Sequence, residues 1–206
     1  MLIGYFQRNF ISKTGDGTVN QVKKEKNEFW EWGKALFIAL AAAGLIRFFL
    51  FTPIVVDGES MMPTLENGDR MLVNKIGYIV GEPQRSDIVV FHATEDKDYI
   101  KRVIGVPGDH IAYEDDQLYI NGKAQDEPYL SSLKEQQSLG YGTLTKDFTL
   151  EKLTNLKVIP EGYVFVLGDN RRNSTDSRII GLVPIEDVVG SANYIFWPFD
   201  DMGSVE

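Results

Sequence analysis

The sequence predicts a mainly β domain carried behind a single membrane-spanning helix. Three observations carry this: one long apolar run at residues 35–51, short apolar or alternating runs punctuated by glycine from residue 53 onward, and Asn121-Gly122 directly after Leu118-Tyr119-Ile120. The chain has 206 residues, 43% of them hydrophobic, enough for one ordinary domain with a real core plus an attached segment.

Residues 35–51 read A-L-F-I-A-L-A-A-A-G-L-I-R-F-F-L-F, with Arg47 the only polar side chain. At a rise of about 1.5 Å per residue such a helix covers roughly 26 Å, just short of a hydrocarbon core of about 30 Å. Residues 52–56 are expected to supply the missing length. Arg47 lies near the distal end, where a long stem snorkels to the interface, and Trp30 and Trp32 sit where a near-side aromatic belt belongs. Residues 1–34 hold Arg8, Lys13, Lys23, Lys24, Lys26 and Lys34, whereas the twenty residues after Phe51 offer only Arg70. That bias predicts a cytoplasmic segment over 1–34, a transmembrane helix and its exit over 35–56, and an extracytoplasmic β domain over 57–206. A cleaved secretory leader fits less well, because the basic region is long and the one alanine-rich site, 41–43, lies inside the apolar run.

Candidate strands cover 70–74, 87–92, 99–106, 117–120, 163–167 and 192–197, where β-branched and aromatic residues alternate or cluster. Asn121-Gly122 is a type I′ hairpin signal, since both residues tolerate positive φ. Pro107-Gly108-Asp109 is a second turn. The stretch 126–156 is more polar, with Ser131-Ser132, Gln136-Gln137 and Gly140-Tyr141-Gly142, and reads as a small inserted excursion from the main sheet.

Composition removes several function classes. A net charge of −9 disfavours nucleic acid as a partner, because neutralising phosphates needs concentrated Lys and Arg. With no cysteine there is no thiolate nucleophile and no cysteine-type zinc site, and two histidines, His92 and His110, are a poor metal kit. Neither histidine stands beside a catalytic-looking carboxylate pattern in the sequence. No metal and no cofactor is expected.

Three segments carry potential chemistry. In Val55-Val56-Asp57-Gly58-Glu59-Ser60-Met61-Met62-Pro63-Thr64-Leu65, Gly58 permits an unusual backbone angle and Pro63 fixes φ, so a hydroxyl can be presented on a stiff turn. Structural turns have the same composition. In Asp98-Tyr99-Ile100-Lys101-Arg102-Val103-Ile104-Gly105, two adjacent cations interrupt an apolar strand. Alternation puts Lys101 with Tyr99 and Val103, and Arg102 with Ile100 and Ile104, so one of the two has an apolar-flanked setting. If it is Lys101, desolvation lowers its pKa toward what a general base needs, whereas arginine stays protonated. An edge-strand lysine that deters aggregation has the same pattern. The third segment, Gly168-Asp169-Asn170-Arg171-Arg172-Asn173-Ser174-Thr175-Asp176-Ser177-Arg178, is dense enough in polar groups to be a solvated loop. Within it Asp176 and Arg178 can pair, and Ser174 can bond a neutral amine.

Taken together and in this order behind one anchor, the three segments resemble those of bacterial type I signal peptidases, the Ser-Lys proteases of family S26. The resemblance runs from the anchor through Phe199 and implies a barrel-like β fold. It implies Ser60 as nucleophile, Lys101 as general base, Ser174 as the group orienting the lysine, Asp176 and Arg178 as a structural ion pair, and Asp169 as a further structural residue. The oxyanion would be held by the Ser60 N–H. Some family members add a hydroxyl two residues before the nucleophile; this chain has Gly58 there, which resembles the compact Gram-positive branch. The implied partners are secretory preproteins with small residues before the cut, and the lipid bilayer. Ser60 follows Phe51 by nine residues, which at about 3.5 Å each keeps it within roughly 32 Å of the membrane. Met61, Met62 and Phe196-Trp197-Pro198-Phe199 are candidates for lipid contact, groove lining or core. Two rival readings share features of this pattern: a self-cleaving repressor-type protease, which lacks its DNA-binding module here, and an anchored non-catalytic β domain that binds partners.

Overall fold

Alanine and leucine without an interrupting proline favour helix, and Glu28–Leu50 form α1. The computed structural model describes residues 28–75, 81–138 and 142–205, and the chain divides into two compact units near Ala43. The described side chains of α1, residues 29–44, are exposed on every face. Among the described residues no helix is long and apolar enough to cross a membrane. The side chains of residues 45–50, which complete the apolar run, lie outside the described residues, as does segment 1–27, on which most of the charge bias rests.

Residues 52–56 do not lengthen this helix, contrary to expectation: Phe51–Val55 form strand β1. Pro53 has no N–H to donate and drives Thr52 toward extended geometry, and β-branched Ile54 and Val55 follow. Pro53 is tolerated there because β1 is an edge strand, paired with β2, Arg70–Asn74, on one side.

Strands β3, Ile88–Thr94, and β4, Lys97–Gly105, come next, then β5, Ile111–Glu114, β6, Gln117–Ile120, and β7, Lys123–Gln125. After helix α2, Ser131–Ser138, come β8, Phe148–Thr149, helix α3, Leu150–Thr154, and β9, Tyr163–Leu167. The chain closes with helix α4, Ser177–Ile180, and strands β10, Val183–Pro184, β11, Val188–Trp197, and β12, Gly203–Ser204. The large sheet runs β1-β2-β11-β3-β4-β9-β10 with β12 added to β11, and a smaller sheet runs β7-β6-β5-β8.

The central strands β3, β4 and β9 of the large sheet are buried on both faces over most of their length, which explains why they read as continuous apolar runs. In β3, Ile88 and Val90 pack with Met71, Val73 and Ala192, while Val89 and Phe91 pack with Val103, Val164 and Val166. In β9, Val164 and Val166 face that second cluster, whereas Phe165 and Leu167 join Ile111, Tyr113, Leu118 and Phe148 of the small sheet. A period of two thus supplies two cores at once. The β6–β7 hairpin is the two-residue turn expected, with Asn121 at φ 55° and Gly122 at φ 73°. The small sheet draws strands from before and inside the polar stretch 126–156, because β8 pairs with β5. Met61 is core, while Met62, Trp197 and Phe199 are exposed.

Strand β11 passes close over β2 at Gly190, where a Cβ would lie 2.5 Å from the Asn74 carbonyl oxygen and 2.8 Å from Val73 Cγ1. Gly190→Ala is therefore expected to lower stability by about 1–3 kcal/mol, read as a reduced Tm; an unchanged Tm would contradict this close approach.

Candidate active site

Ser60 sits on the turn after β1, and both flanks of that turn are sunk in core. Val56, Met61 and Leu65 are 4%, 2% and 0% exposed and pack with Met71 and Val73. Gly58 takes φ +106°, a region that disfavours side chains, and its N–H donates to Asn67 Oδ1 at 2.9 Å. That N–H is therefore engaged, leaving the Ser60 N–H as the candidate oxyanion donor beside the hydroxyl. The polar loop clamps the turn from the other side: the Asn170 N–H donates to the Ser60 carbonyl at 3.0 Å, and Asn170 Nδ2 to the Glu59 carbonyl at 3.0 Å.

On β4 the sequence leaves open which of two cations is buried; both are, with Lys101 3% and Arg102 0% exposed. They point to opposite faces. Lys101 Nζ lies 2.8 Å from Ser60 Oγ and 2.8 Å from the Ile100 carbonyl oxygen, with the Tyr99 ring centroid at 5.1 Å. Burial lowers its pKa to about 8, against the upward pull of the Asp176 and Asp169 carboxylates. A neutral amine exposes a lone pair toward the serine hydroxyl, so near pH 8 a substantial fraction is ready to accept its proton.

Arg102 crosses to the other side and meets Asp169 in a forked pair, Nε to Oδ1 at 3.0 Å and Nη2 to Oδ2 at 2.8 Å, both side chains fully buried. Thr64 Oγ1 donates to the same carboxylate at 2.5 Å, which joins the serine turn to the polar loop. Asp176 accepts from Arg178 Nε at 2.8 Å and Nη2 at 2.7 Å, and from the Gly168 N–H at 3.0 Å. The Asp176–Arg178 pair thus braces the loop. Ser174 is placed differently from its implied role: its Oγ is buried without a hydrogen-bond partner, and Lys101 is not bonded to it. That hydroxyl rests against Gly168, where any Cβ would collide with it and with the Ser60 carbonyl.

Sequence patterns do not show a second buried group. Arg171 donates to Glu127 Oε1 at 2.5 Å, to Tyr113 Oη at 3.0 Å and to the Gly168 carbonyl at 3.1 Å, and Tyr113 also donates to Glu127. The Arg102 guanidinium stacks 4.0 Å from the Tyr129 ring centroid, whose hydroxyl donates to Glu127. Arg171 stands 58 positions from Tyr113 and 44 from Glu127, and Arg102 stands 67 from Asp169, so no local pattern reveals these pairs. The histidines are also paired, contrary to their sequence context: His92 Nδ1 is 2.6 Å from Asp98 Oδ1 and His110 Nε2 is 3.0 Å from Glu151 Oε2. Neither is bonded to Ser60 Oγ, whose partner is Lys101. Among the described residues no group of three His, Cys, Asp or Glu side chains is placed to hold a metal.

Ser60 and Lys101 open into a cleft of about 620 Å³, lined on its apolar side by Ile54, Val56, Met61, Val90 and Ile100. The buried Arg102–Asp169 pair makes one prediction sharp. Arg102→Met leaves a buried carboxylate without its cation and is expected to cost about 3–5 kcal/mol, whereas Arg102→Met with Asp169→Leu costs less than either change alone. Strictly additive losses in chemical unfolding would contradict the pairing.

A family model described as signal peptidase, peptidase S26, matches residues 29–197. The signal peptidase I of Bacillus caldolyticus is 50% identical over 177 residues, covering 86% of this chain and 94% of its own. The signal peptidase IB of Staphylococcus aureus is 45% identical over 181 residues, covering 85% and 93%. A crystal structure of a signal peptidase I from Enterococcus faecalis V583 is 44% identical with a TM-score of 0.50, covering 54% of this chain and 97% of that one. The mainly β fold and these Gram-positive relatives agree with the resemblance carried by the three segments. The chain belongs to the S26 family of signal peptidases.

Proposed function

We propose that Ser60 and Lys101 are the catalytic pair of a membrane-tethered signal peptidase that cuts exported preproteins on the outer face of the cytoplasmic membrane. Signal peptidase activity follows from family membership and from 45–50% identity to named signal peptidases over most of the chain. The observation that carries the residue assignment is the 2.8 Å approach of a buried amine to a serine hydroxyl. The neutral Lys101 amine takes the hydroxyl proton as Ser60 Oγ bonds to the scissile carbonyl carbon. The oxyanion accepts from the Ser60 N–H, and the resulting ammonium returns the proton to the departing amine. Water then attacks the acyl-enzyme with Lys101 again as base, releasing the carboxylate and restoring the serine. Asp169, Asp176, Arg178 and Gly58 hold these groups in place, and Ser174 stands against the same cleft without joining the proton path of the free enzyme.

Three features support the tether. The described side chains of α1, residues 29–44, are mostly apolar and exposed all round, a surface that suits lipid better than water. Basic residues crowd the segment before it, which fits a cytoplasmic N-terminus. Trp197 and Phe199, in ring contact at 4.8 Å, add an exposed aromatic pair on the β domain. Preproteins with small residues before the cut suit a cleft with a shallow apolar wall.

Incubating the detergent-solubilised protein with a secretory precursor tests the assignment. Ser60→Ala and Lys101→Ala are each expected to lower cleavage at least about 10³-fold while remaining folded. Because the ammonium form cannot accept a proton, kcat/KM rises with pH and reaches half its plateau near 8. Residual activity in either variant, or a flat profile between pH 6 and about 9, would contradict the mechanism.

A further inference from the structure

Asn170 reaches the serine turn twice. Its backbone N–H donates to the Ser60 carbonyl oxygen at 3.0 Å, and its side-chain Nδ2 donates to the Glu59 carbonyl oxygen at 3.0 Å. These two oxygens belong to the peptide units on either side of the Ser60 Cα. The unit that begins at the Glu59 carbonyl ends at the Ser60 N–H, the candidate oxyanion donor. In a planar trans peptide the C=O and N–H point in opposite directions, so a partner that fixes the oxygen also aims the hydrogen. The contact settles which way the amide faces: turned over, its own oxygen would meet another oxygen.

The Glu59 carbonyl also accepts from the Met62 N–H within the turn, at 3.1 Å, so both its lone pairs are used. Each hydrogen bond to a carbonyl polarises the N–H of the same unit and strengthens it as a donor. Asn170 is itself firmly rooted. Asp169 before it is buried and clasped by Arg102 and Thr64, and the Asn170 carbonyl accepts from the Asn173 N–H at 3.0 Å. Gly168 admits the close approach, since a Cβ there would collide with the Ser60 carbonyl. Water in place of the amide would satisfy the Glu59 oxygen without fixing its direction.

We infer that Asn170 is a positioning residue for the oxyanion site: its side-chain amide, acting through the Glu59 carbonyl, aims the Ser60 N–H at the oxygen that gains charge in the transition state. This inference rests on the Ser60–Lys101 reading. The contribution of Asn170 then falls on the transition state and on tetrahedral adducts, and not on substrate binding.

Two variants test it, and both keep the backbone bond to the Ser60 carbonyl. Asn170→Ala removes the amide, and Asn170→Asp replaces the donor with an acceptor of the same size. Asn170→Ala is expected to lower kcat for a secretory precursor roughly ten- to thirty-fold, less than outright loss of an oxyanion donor, with KM within about two-fold of wild type. Asn170→Asp is expected to fall at least as far, which separates the lost donor from lost packing. The pH of half-maximal kcat/KM in Asn170→Ala is expected to match wild type, because Lys101 keeps its surroundings. A peptide boronate ending in alanine forms a tetrahedral adduct on Ser60 with an oxygen at the Ser60 N–H. Its affinity is expected to drop in Asn170→Ala by about the factor lost in kcat, whereas the matching peptide amide binds both proteins alike. Taking the boronate-to-amide ratio within each protein cancels any unfolded fraction. An unchanged ratio, a loss confined to KM or a shifted pH midpoint overturns the inference and leaves the catalytic pair standing. Precursor cleavage that survives Ser60→Ala overturns both.

Discussion

Lys101 is held where water is scarce and, among the described residues, no carboxylate pairs with it; the rest of the site depends on that constraint. A lysine in water is almost wholly ammonium at neutral pH and useless as a base. Removing solvent is the one lever the fold applies strongly, since Asp169 and Asp176 pull the other way. Both carboxylates are occupied elsewhere, by Arg102 with Thr64 and by Arg178 with the Gly168 N–H. Were either to turn toward Lys101, the amine would regain its proton and lose its lone pair. The desolvation has a cost: the folded pKa of about 8 lies below the ordinary 10.5, so the unfolded chain binds more protons between those values and stability rises with pH across that window.

The adjacent cation shows how neighbouring residues on one strand serve opposite ends. Pleating sends Lys101 to the serine and Arg102 into a fully buried pair with Asp169. Arginine keeps its charge and brings a planar fork that matches a carboxylate, so it fills the structural position that lysine would not. From Asp169 the polar contacts continue through Thr64 to the serine turn, and from Arg102 through Tyr129 to Glu127 and Arg171. The small sheet is thereby tied to the loop that grips the Ser60 carbonyl. Such a chain of satisfied buried groups resists displacement, because each member lost leaves another unpaired in a low-dielectric setting.

Much of this is legible in the sequence for local reasons. Strands at 70–74, 117–120 and 163–167 fall where their apolar runs put them, and the Asn121-Gly122 turn follows from two residues that tolerate positive φ. Strand β1 reads as the end of the helix because Phe51 to Val55 continues an apolar run, although Pro53, which has no N–H and sets Thr52 extended, is a local signal against helix there. Strand β8, two residues long, is too short for a periodic signal and is defined by its pairing with β5, and β5 is defined by its pairing with β6. The order of serine, lysine and polar-loop segments points to the site, yet Asn67, Asn170 and Thr64 are invisible as supports. Their partners lie 9, 111 and 105 positions away, separations set by the fold and not by any local pattern. Ser174 marks the same limit: its segment locates it at the cleft, but the bond to Lys101 is a matter of geometry, and in this structure it is not made.

Direct titration of the Lys101 amine tests the central claim. With lysine labelled at Cε and Nζ, the Lys101 resonance is identified by its loss in Lys101→Met and followed by NMR against pH in the full-length protein. A midpoint near 8 is the result that burial beside Ser60 requires. A midpoint near 10.5, the ordinary value, would mean a solvated ammonium, and the serine would have no base.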